Sequence, residues 1–146
     1  MALLLTTVSC GELQPPEPSR APTVTVTHDA CTPDGLGALI PERFTVTFVN
    51  GTTDYATFYL VRINDGSSFQ ALAAYVRDEQ RWLVTGEQPL VTPSFVTMFI
   101  QRALGPLMRS DVDVTLPRGT YGIVCARGNA SRTETLFAAL GPHVVP

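Results

Sequence analysis

The stretch "LPRGTYGIVCARGNASRTE", residues 116–134, decides what kind of fold the chain adopts. A turn at its start is followed by an alternation that places Tyr121, Ile123 and Cys125 on one face. Alternation with a period of two, next to turn residues, is typical of a half-buried β-strand. The polar residues after Cys125 predict an exposed, flexible loop. This stretch therefore predicts a strand that leads through a cysteine into a surface loop.

Similar segments recur along the chain. They are rich in β-branched or aromatic residues, most of them alternate in polarity, and they span residues 22–28, 43–50, 55–63 and 110–116. Residues 92–104 fit a helix that starts at Thr92 and Pro93, but their Val, Thr, Phe and Ile content favours a strand. Several such strands in one domain predict an all-β sandwich or barrel.

One helix interrupts the strands, within "DGSSFQALAAYVRDEQRW", residues 65–82. Its apolar positions recur at i, i+3, i+4 and i+7 and are Phe69, Leu72, Ala73 and Val76. Ser67 and Gln70 have the spacing of a capping box. The pattern predicts a short helix near residues 67–80 that covers part of the sandwich.

Composition bounds the class of protein. The chain has 146 residues, of which 45% are apolar and 16% charged, so it can build the core of one domain. Its net charge of −3 gives no basic surface for nucleic acid. The sequence contains neither a G-x-S-x-G nucleophile turn nor a glycine-rich phosphate loop. We therefore expect a protein that is not an enzyme and carries no cofactor.

The N-terminal residues are expected to lie outside the domain. Residues 1–10 are mostly small or apolar and end at Cys10, which resembles the lipidation site of a bacterial lipoprotein; an ordinary secretion signal or a tail is the alternative. Residues 11–22 contain four prolines and predict an extended linker. The folded domain is expected over residues 23–146. Contact with a membrane is expected only through a lipid on Cys10.

Two blocks of the chain resemble the cupredoxin family of blue copper proteins over residues 23–146. "FTVTFVN" resembles the family strand that ends in asparagine, here Asn50. "LPRGTYGIVC" resembles its G-x-Y-x-x-x-C strand, with Gly119, Tyr121 and Cys125 at the three named positions. The resemblance implies a Greek-key β-sandwich of about seven or eight strands with one inserted helix. The lipoprotein-like N-terminus that ends at Cys10 implies an exported bacterial protein.

The copper ligands of that family are missing from this chain. A blue copper site uses two imidazoles, a thiolate and a weak axial ligand such as methionine. No histidine follows Asn50 closely, and neither histidine nor methionine follows Cys125 closely. The two histidines, His28 and His143, lie elsewhere in the sequence. We expect no blue copper site; the alternative is a copper-handling or electron-transfer protein with a remodelled site at Cys125 and His143.

The resemblance implies another use for the cysteine. In such a sandwich the loop after the first strand, here containing Cys31, can approach the strand of Cys125. In an oxidising compartment the two would form a disulfide, although two free thiols remain the alternative. The loop after Cys125 carries a candidate recognition set, Arg127, Asn129 and Arg132. The chain is thus interpreted as an extracytoplasmic, membrane-tethered binding or structural module for an unknown protein or small ligand.

Overall fold

The computed structural model describes residues 20–85, 92–128 and 134–146, without the side chains of residues 80–85. These residues form eight strands and one helix. In chain order they are β1 Thr23–Val26, β2 Cys31–Asp34, β3 Arg43–Asn50, β4 Tyr55–Ile63, α1 Phe69–Thr85, β5 Val96–Leu104, β6 Arg109–Thr115, β7 Gly119–Gly128 and β8 Glu134–Val145. Residues 92–104 therefore contain a strand, as their composition favours.

The strands form two four-stranded sheets. The first sheet has the order β2-β1-β3-β6 and the second has the order β5-β4-β7-β8. Neighbours are antiparallel except for β1 and β3, which are parallel. Because the chain passes between the sheets after β3, β5 and β6, its connections are those of a Greek key rather than of a simple meander. The predicted all-β Greek-key sandwich with one inserted helix is confirmed.

The core lies between the sheets and follows from the alternation in the sequence. Val24 on β1 and Val46 on β3 face inwards from the first sheet, and both are buried. Phe48 and Phe58, from opposite sheets, stack with their ring centroids 4.7 Å apart. Each fully buried side chain of this kind contributes about 1.5–3 kcal/mol through removal of apolar surface from water. The period-two pattern thus fixes which face of each strand is buried.

The Gly-x-Tyr motif of β7 is structural. The Tyr121 side chain is fully buried, and its hydroxyl donates a 2.7 Å hydrogen bond to the carbonyl oxygen of Pro117. A tyrosine that bonds back to the preceding connection pins the corner where a strand enters a sandwich. Gly119 has φ 155°, and a Cβ atom there would lie 2.8 Å from Nε of Arg62. A side chain at this position would therefore displace the arginine.

Helix α1 packs on the outer face of the second sheet, over β7 and β8. Its N-cap is Ser68, whose Oγ accepts a 3.2 Å hydrogen bond from the backbone N–H of Ala71. The predicted cap at Ser67 is therefore wrong by one residue, and the helix runs further than residue 80, to Thr85. A Cβ atom on Gly122 of β7 would lie 2.6 Å from Cδ2 of Leu72. The missing side chain lets the helix approach the sheet closely.

The first strand, β1, begins at Thr23, and the predicted domain boundaries stay a prediction. Cys10 and all but the last three residues of the predicted linker, 11–22, lie outside the described residues. Across the described ranges, no helix is both long and apolar enough to cross a bilayer. The lipidation of Cys10 and the role of the linker stay predictions.

Candidate functional site

Cys31 and Cys125 form a disulfide, as predicted. Their Cα atoms are 6.4 Å apart, within the range of about 4.4–6.8 Å that a disulfide allows. Both residues are buried, and the bond joins β2 of the first sheet to β7 of the second. Cys31 is the first residue of β2 rather than part of a loop, because a hydrogen bond from Thr27 N–H to the Ala30 carbonyl closes a tight turn before it.

The two histidines differ in their surroundings. His28 is in the β1–β2 turn, where its side chain is 89% exposed and its Nδ1 is 3.0 Å from a carboxylate oxygen of Asp29. His143 is in β8, where it is 4% exposed and its Nδ1 lies 2.8 Å from the carbonyl oxygen of Gly37. His28 is thus a surface residue, and His143 is held in the packing of the sandwich.

The geometry around Cys125 and His143 bears on a remodelled copper site. The Sγ atom of Cys125 is already bonded to Cys31. Cys125 pairs with Ala138 across β7 and β8, whereas His143 pairs with Tyr121, four residues away along β7. At about 3.3 Å per residue, this separation keeps the imidazole from the sulfur. The structure therefore does not bring together Cys125 and His143, the pair named for a remodelled site.

Asn50, the last residue of the "FTVTFVN" block, has a full set of internal hydrogen bonds. Its Nδ2 donates to the carbonyl oxygens of Asp54, Leu104 and Gly105 at 2.7, 3.3 and 2.9 Å. Its Oδ1 accepts from the backbone N–H and the hydroxyl of Thr52 at 3.0 and 2.8 Å. The side chain is 1% exposed. Asn50 therefore fastens the β3–β4 loop to the turn between β5 and β6.

The candidate recognition set is only partly described. Arg127 belongs to β7 rather than to the loop after it, and it is half-buried. Its guanidinium donates to the carbonyl oxygen of His28 and lies 4.3 Å above the centroid of the Phe137 ring. These contacts hold the arginine across one end of the sandwich. Asn129 and Arg132 lie outside the described residues, and recognition by this loop stays a prediction.

A groove opens on the outer face of the second sheet beside α1. Its volume is about 210 Å³. It is lined by Tyr59, Val61, Leu72, Tyr75, Thr92, Pro93, Val96, Met98, Gln101, Val124 and Leu136. An apolar concavity with a few polar groups is the usual form of a small-molecule site. The described residues thus contain a candidate binding site that is separate from the cysteine end.

Tyr59, which lines the groove, takes part in a network of polar contacts. The hydroxyl groups of Tyr59 and Thr57 both donate hydrogen bonds to the carboxylate of Glu134, the first residue of β8. Burial raises the pKa of Tyr59 above its usual range, and the hydrogen bond to Glu134 adds to this rise. Tyr59 therefore remains a neutral hydrogen-bond donor, and the carboxylate is held at a defined position.

Glu79 places a second carboxylate on the buried side of α1. The residue is 4% exposed, and neither carboxylate oxygen has a hydrogen-bond partner of normal geometry within the described residues. Burial raises the pKa of Glu79 to about 7, whereas the neighbouring Tyr75 side chain and Leu136 backbone oppose this rise. Tyr75 and Leu136 line the groove, whereas Glu79 itself is not one of its lining residues.

The raised pKa of Glu79 predicts a fall in stability as the pH rises. The unfolded chain releases this proton near pH 4.5 and the folded chain at about 7. Since the folded state binds more protons between these values, the free energy of unfolding should fall over that window, by about 3 kcal/mol at most. Urea unfolding at several pH values should show the fall in the wild type and not in Glu79→Gln. The same fall in both proteins would contradict the assignment. Glu42→Gln, at an exposed position, should retain it.

The sequence prediction missed this groove. Its lining comes from α1, the segment before β5 and four strands, so no single segment contains it. One signal was available in the helix. Glu79 follows Val76 by three residues and Leu72 by seven, which places a carboxylate on the apolar stripe. A charged group on the buried face of a helix is rare without a partner or a function.

Comparison with known proteins yields one similar solved structure and no matching family or curated protein. No family model matches the sequence. No curated protein matches it either. Among solved structures, the chain is similar to Na-dithionite reduced auracyanin from the photosynthetic bacterium Roseiflexus castenholzii, with 22% sequence identity and a TM-score of 0.41. This similarity covers 70% of the present chain and 81% of the auracyanin chain.

Proposed function

We propose that the protein is a cupredoxin-like binding module that works without a blue copper site and without catalysis. The observation that carries this proposal is the bond between Cys125 and Cys31, because it occupies the one thiolate that such a copper site would need. The cysteine then acts as a covalent link between the sheets. The proposed binding surface is the groove beside α1.

The proposed location is outside the cytoplasm. A buried structural disulfide persists in oxidising compartments and is rare in the reducing cytosol. The proposal adds a lipid on Cys10 and a proline-rich linker, so the domain would be held near a membrane surface. An extended chain spans about 3.1 Å per residue in polyproline geometry, so twelve residues would place the domain some tens of Å from the lipid.

The groove is proposed as the ligand site on the basis of its shape and lining. Cavities of about 150 Å³ in other proteins hold one benzene ring, so about 210 Å³ accommodates a single-ring molecule. Val61 and Val124 provide an apolar floor, while Tyr59 and Gln101 provide hydrogen-bonding groups. This combination supports small-molecule binding over a purely structural role.

A copper titration tests the first part of the proposal. Addition of Cu(II) to the oxidised protein should produce no intense thiolate charge-transfer band in the visible spectrum, since no free thiolate lies beside two imidazoles. Cys31→Ser frees the Cys125 thiol and is the informative control. It should also lack the band, because the thiol gains no histidine ligand. An intense blue colour in either protein would overturn the proposal and favour copper handling. Weak binding at the exposed His28 would not produce this band.

A further inference from the structure

Strand β5 forms one edge of the second sheet, because β4 pairs with one of its sides and no described strand pairs with the other. Within the described ranges, no backbone hydrogen bond outside the ladders involves residues 97–104. The N–H and C=O groups along the free side are therefore open to a further strand, since an extended backbone presents donors and acceptors at the matching spacing. The open edge specifies an extended polypeptide as its partner.

The other three sheet edges carry features that oppose the addition of a strand. β2 has four residues and includes Pro33, which lacks a backbone N–H. β6 has three charged residues among its seven. β8 contains Pro142, and its backbone at Val144 already bonds to residues 38–40. β5 has nine residues, no proline and a single charge, on Arg102.

Exposed apolar side chains are concentrated along the β5 edge. Of the six large apolar side chains that are exposed in the described residues, four lie on β5 or in the turn after it, namely Met98, Phe99, Leu107 and Met108. Leu107 is 72% exposed and has φ 57°, in the left-handed region that favours glycine. Packing within the domain does not explain a leucine there. Apolar side chains exposed together mark a surface for association.

These four side chains are arranged so that the edge complements a second copy of itself. Two of them lie near the start of β5 and two follow its end. Antiparallel pairing brings the start of one strand beside the end of the other, so the apolar residues of both ends would meet. Pairing about Gln101, after the register shift against β4, places Arg102 opposite Ile100 and keeps the two arginines apart.

We propose that two copies of this chain associate through β5, antiparallel and about a twofold axis at Gln101. The four-stranded second sheets of both copies would join into one continuous sheet. A twofold axis closes this interface at two chains, so it does not extend into a filament. The inference goes beyond the proposed function and does not depend on it, because it concerns the sheet edge and not the ligand in the groove.

Sedimentation velocity of the full-length chain tests the association, in a Cys10→Ser background so that no disulfide through Cys10 links two chains. A dimer with a Kd of about 10–100 µM is expected for a small interface. Leu107→Gly should raise this Kd about tenfold without loss of stability in urea, because glycine adopts the left-handed backbone freely. Leu39→Gly is the matched control. Leu39 is also 72% exposed but lies beside β8, so its loss should leave the Kd unchanged.

Two charge variants test the position of the axis. Gln101→Lys and Gln101→Glu each place like charges opposite each other, so each variant alone should be folded by circular dichroism and monomeric at about 100 µM. An equal mixture of the two should restore the dimer, because opposite charges then face each other across the axis. A mixture that stays monomeric would overturn the pairing about Gln101.

Two further results would overturn the proposal. A chain without these changes that stays monomeric at about 500 µM would exclude a second copy, in favour of a strand from a different protein as the occupant of the edge. A dimer that persists in Leu107→Gly and in both Gln101 variants would place the interface elsewhere on the molecule.

Discussion

Replacing Cys31 or Cys125 with alanine should lower the free energy of unfolding by about 4–5 kcal/mol. The disulfide closes a loop between residues 94 positions apart, so its loss restores much conformational entropy to the unfolded chain. The buried position of both side chains adds a packing loss, because alanine leaves a small cavity. The measurement is urea unfolding, in a Cys10→Ser background so that no freed thiol can pair with Cys10.

The double variant provides the sharper test. Since both residues act through one covalent bond, Cys31→Ala combined with Cys125→Ala should cost little more than either single change. Additive losses would mean that the two side chains act separately. Thr32→Ala, at the exposed neighbour of Cys31 on β2, is the control and should shift stability by about 0.5 kcal/mol or less.

Asn50→Leu should lower the free energy of unfolding by about 3 kcal/mol or more. Leucine has a similar size but cannot donate to the three carbonyl oxygens that Asn50 serves, nor accept from Thr52. Each buried polar group left without a partner costs about 1–3 kcal/mol, although those near the loop surface can bind water. Chemical unfolding measures the total, and hydrogen exchange of the Thr52 amide should show local opening of the β3–β4 loop.

Two further asparagine variants define the cause. Asn50→Asp keeps the acceptor for Thr52 but turns a carboxylate towards three carbonyl oxygens, so it should cost at least as much as leucine. Asn64→Ala is the matched control. The hydrogen bonds of its side-chain amide with the Ser94 carbonyl and the Thr97 hydroxyl are exposed, so water can replace them. We expect Asn64→Ala to lower the free energy of unfolding by about 1 kcal/mol or less. Equal losses at Asn50 and Asn64 would mean that burial of the amide does not matter.

Several strands and the helix could be predicted because their signals are local. β3 and β4 occupy the predicted segments 43–50 and 55–63, since alternating or β-branched residues already define the buried face of a strand. The helix prediction succeeded for the same reason, and its cap was misplaced only because Ser67 and Ser68 are adjacent. The disulfide also followed from the sequence, once the resemblance implied that Cys31 and Cys125 approach each other.

The groove and the contacts of Arg127 depend on tertiary structure. Arg127 looked like a loop residue from its polar neighbours, but pairing of β7 with β8 extends the strand through it. Glu79 and Glu134 are 55 residues apart in sequence, and both lie near Tyr59 only because α1 packs over β8. The sequence by itself predicted β3, β4 and most of α1, because those elements depend on local pattern and composition. Only the packing of helix on sheet decided where carboxylates lose their water, because burial depends on residues brought together from distant parts of the chain.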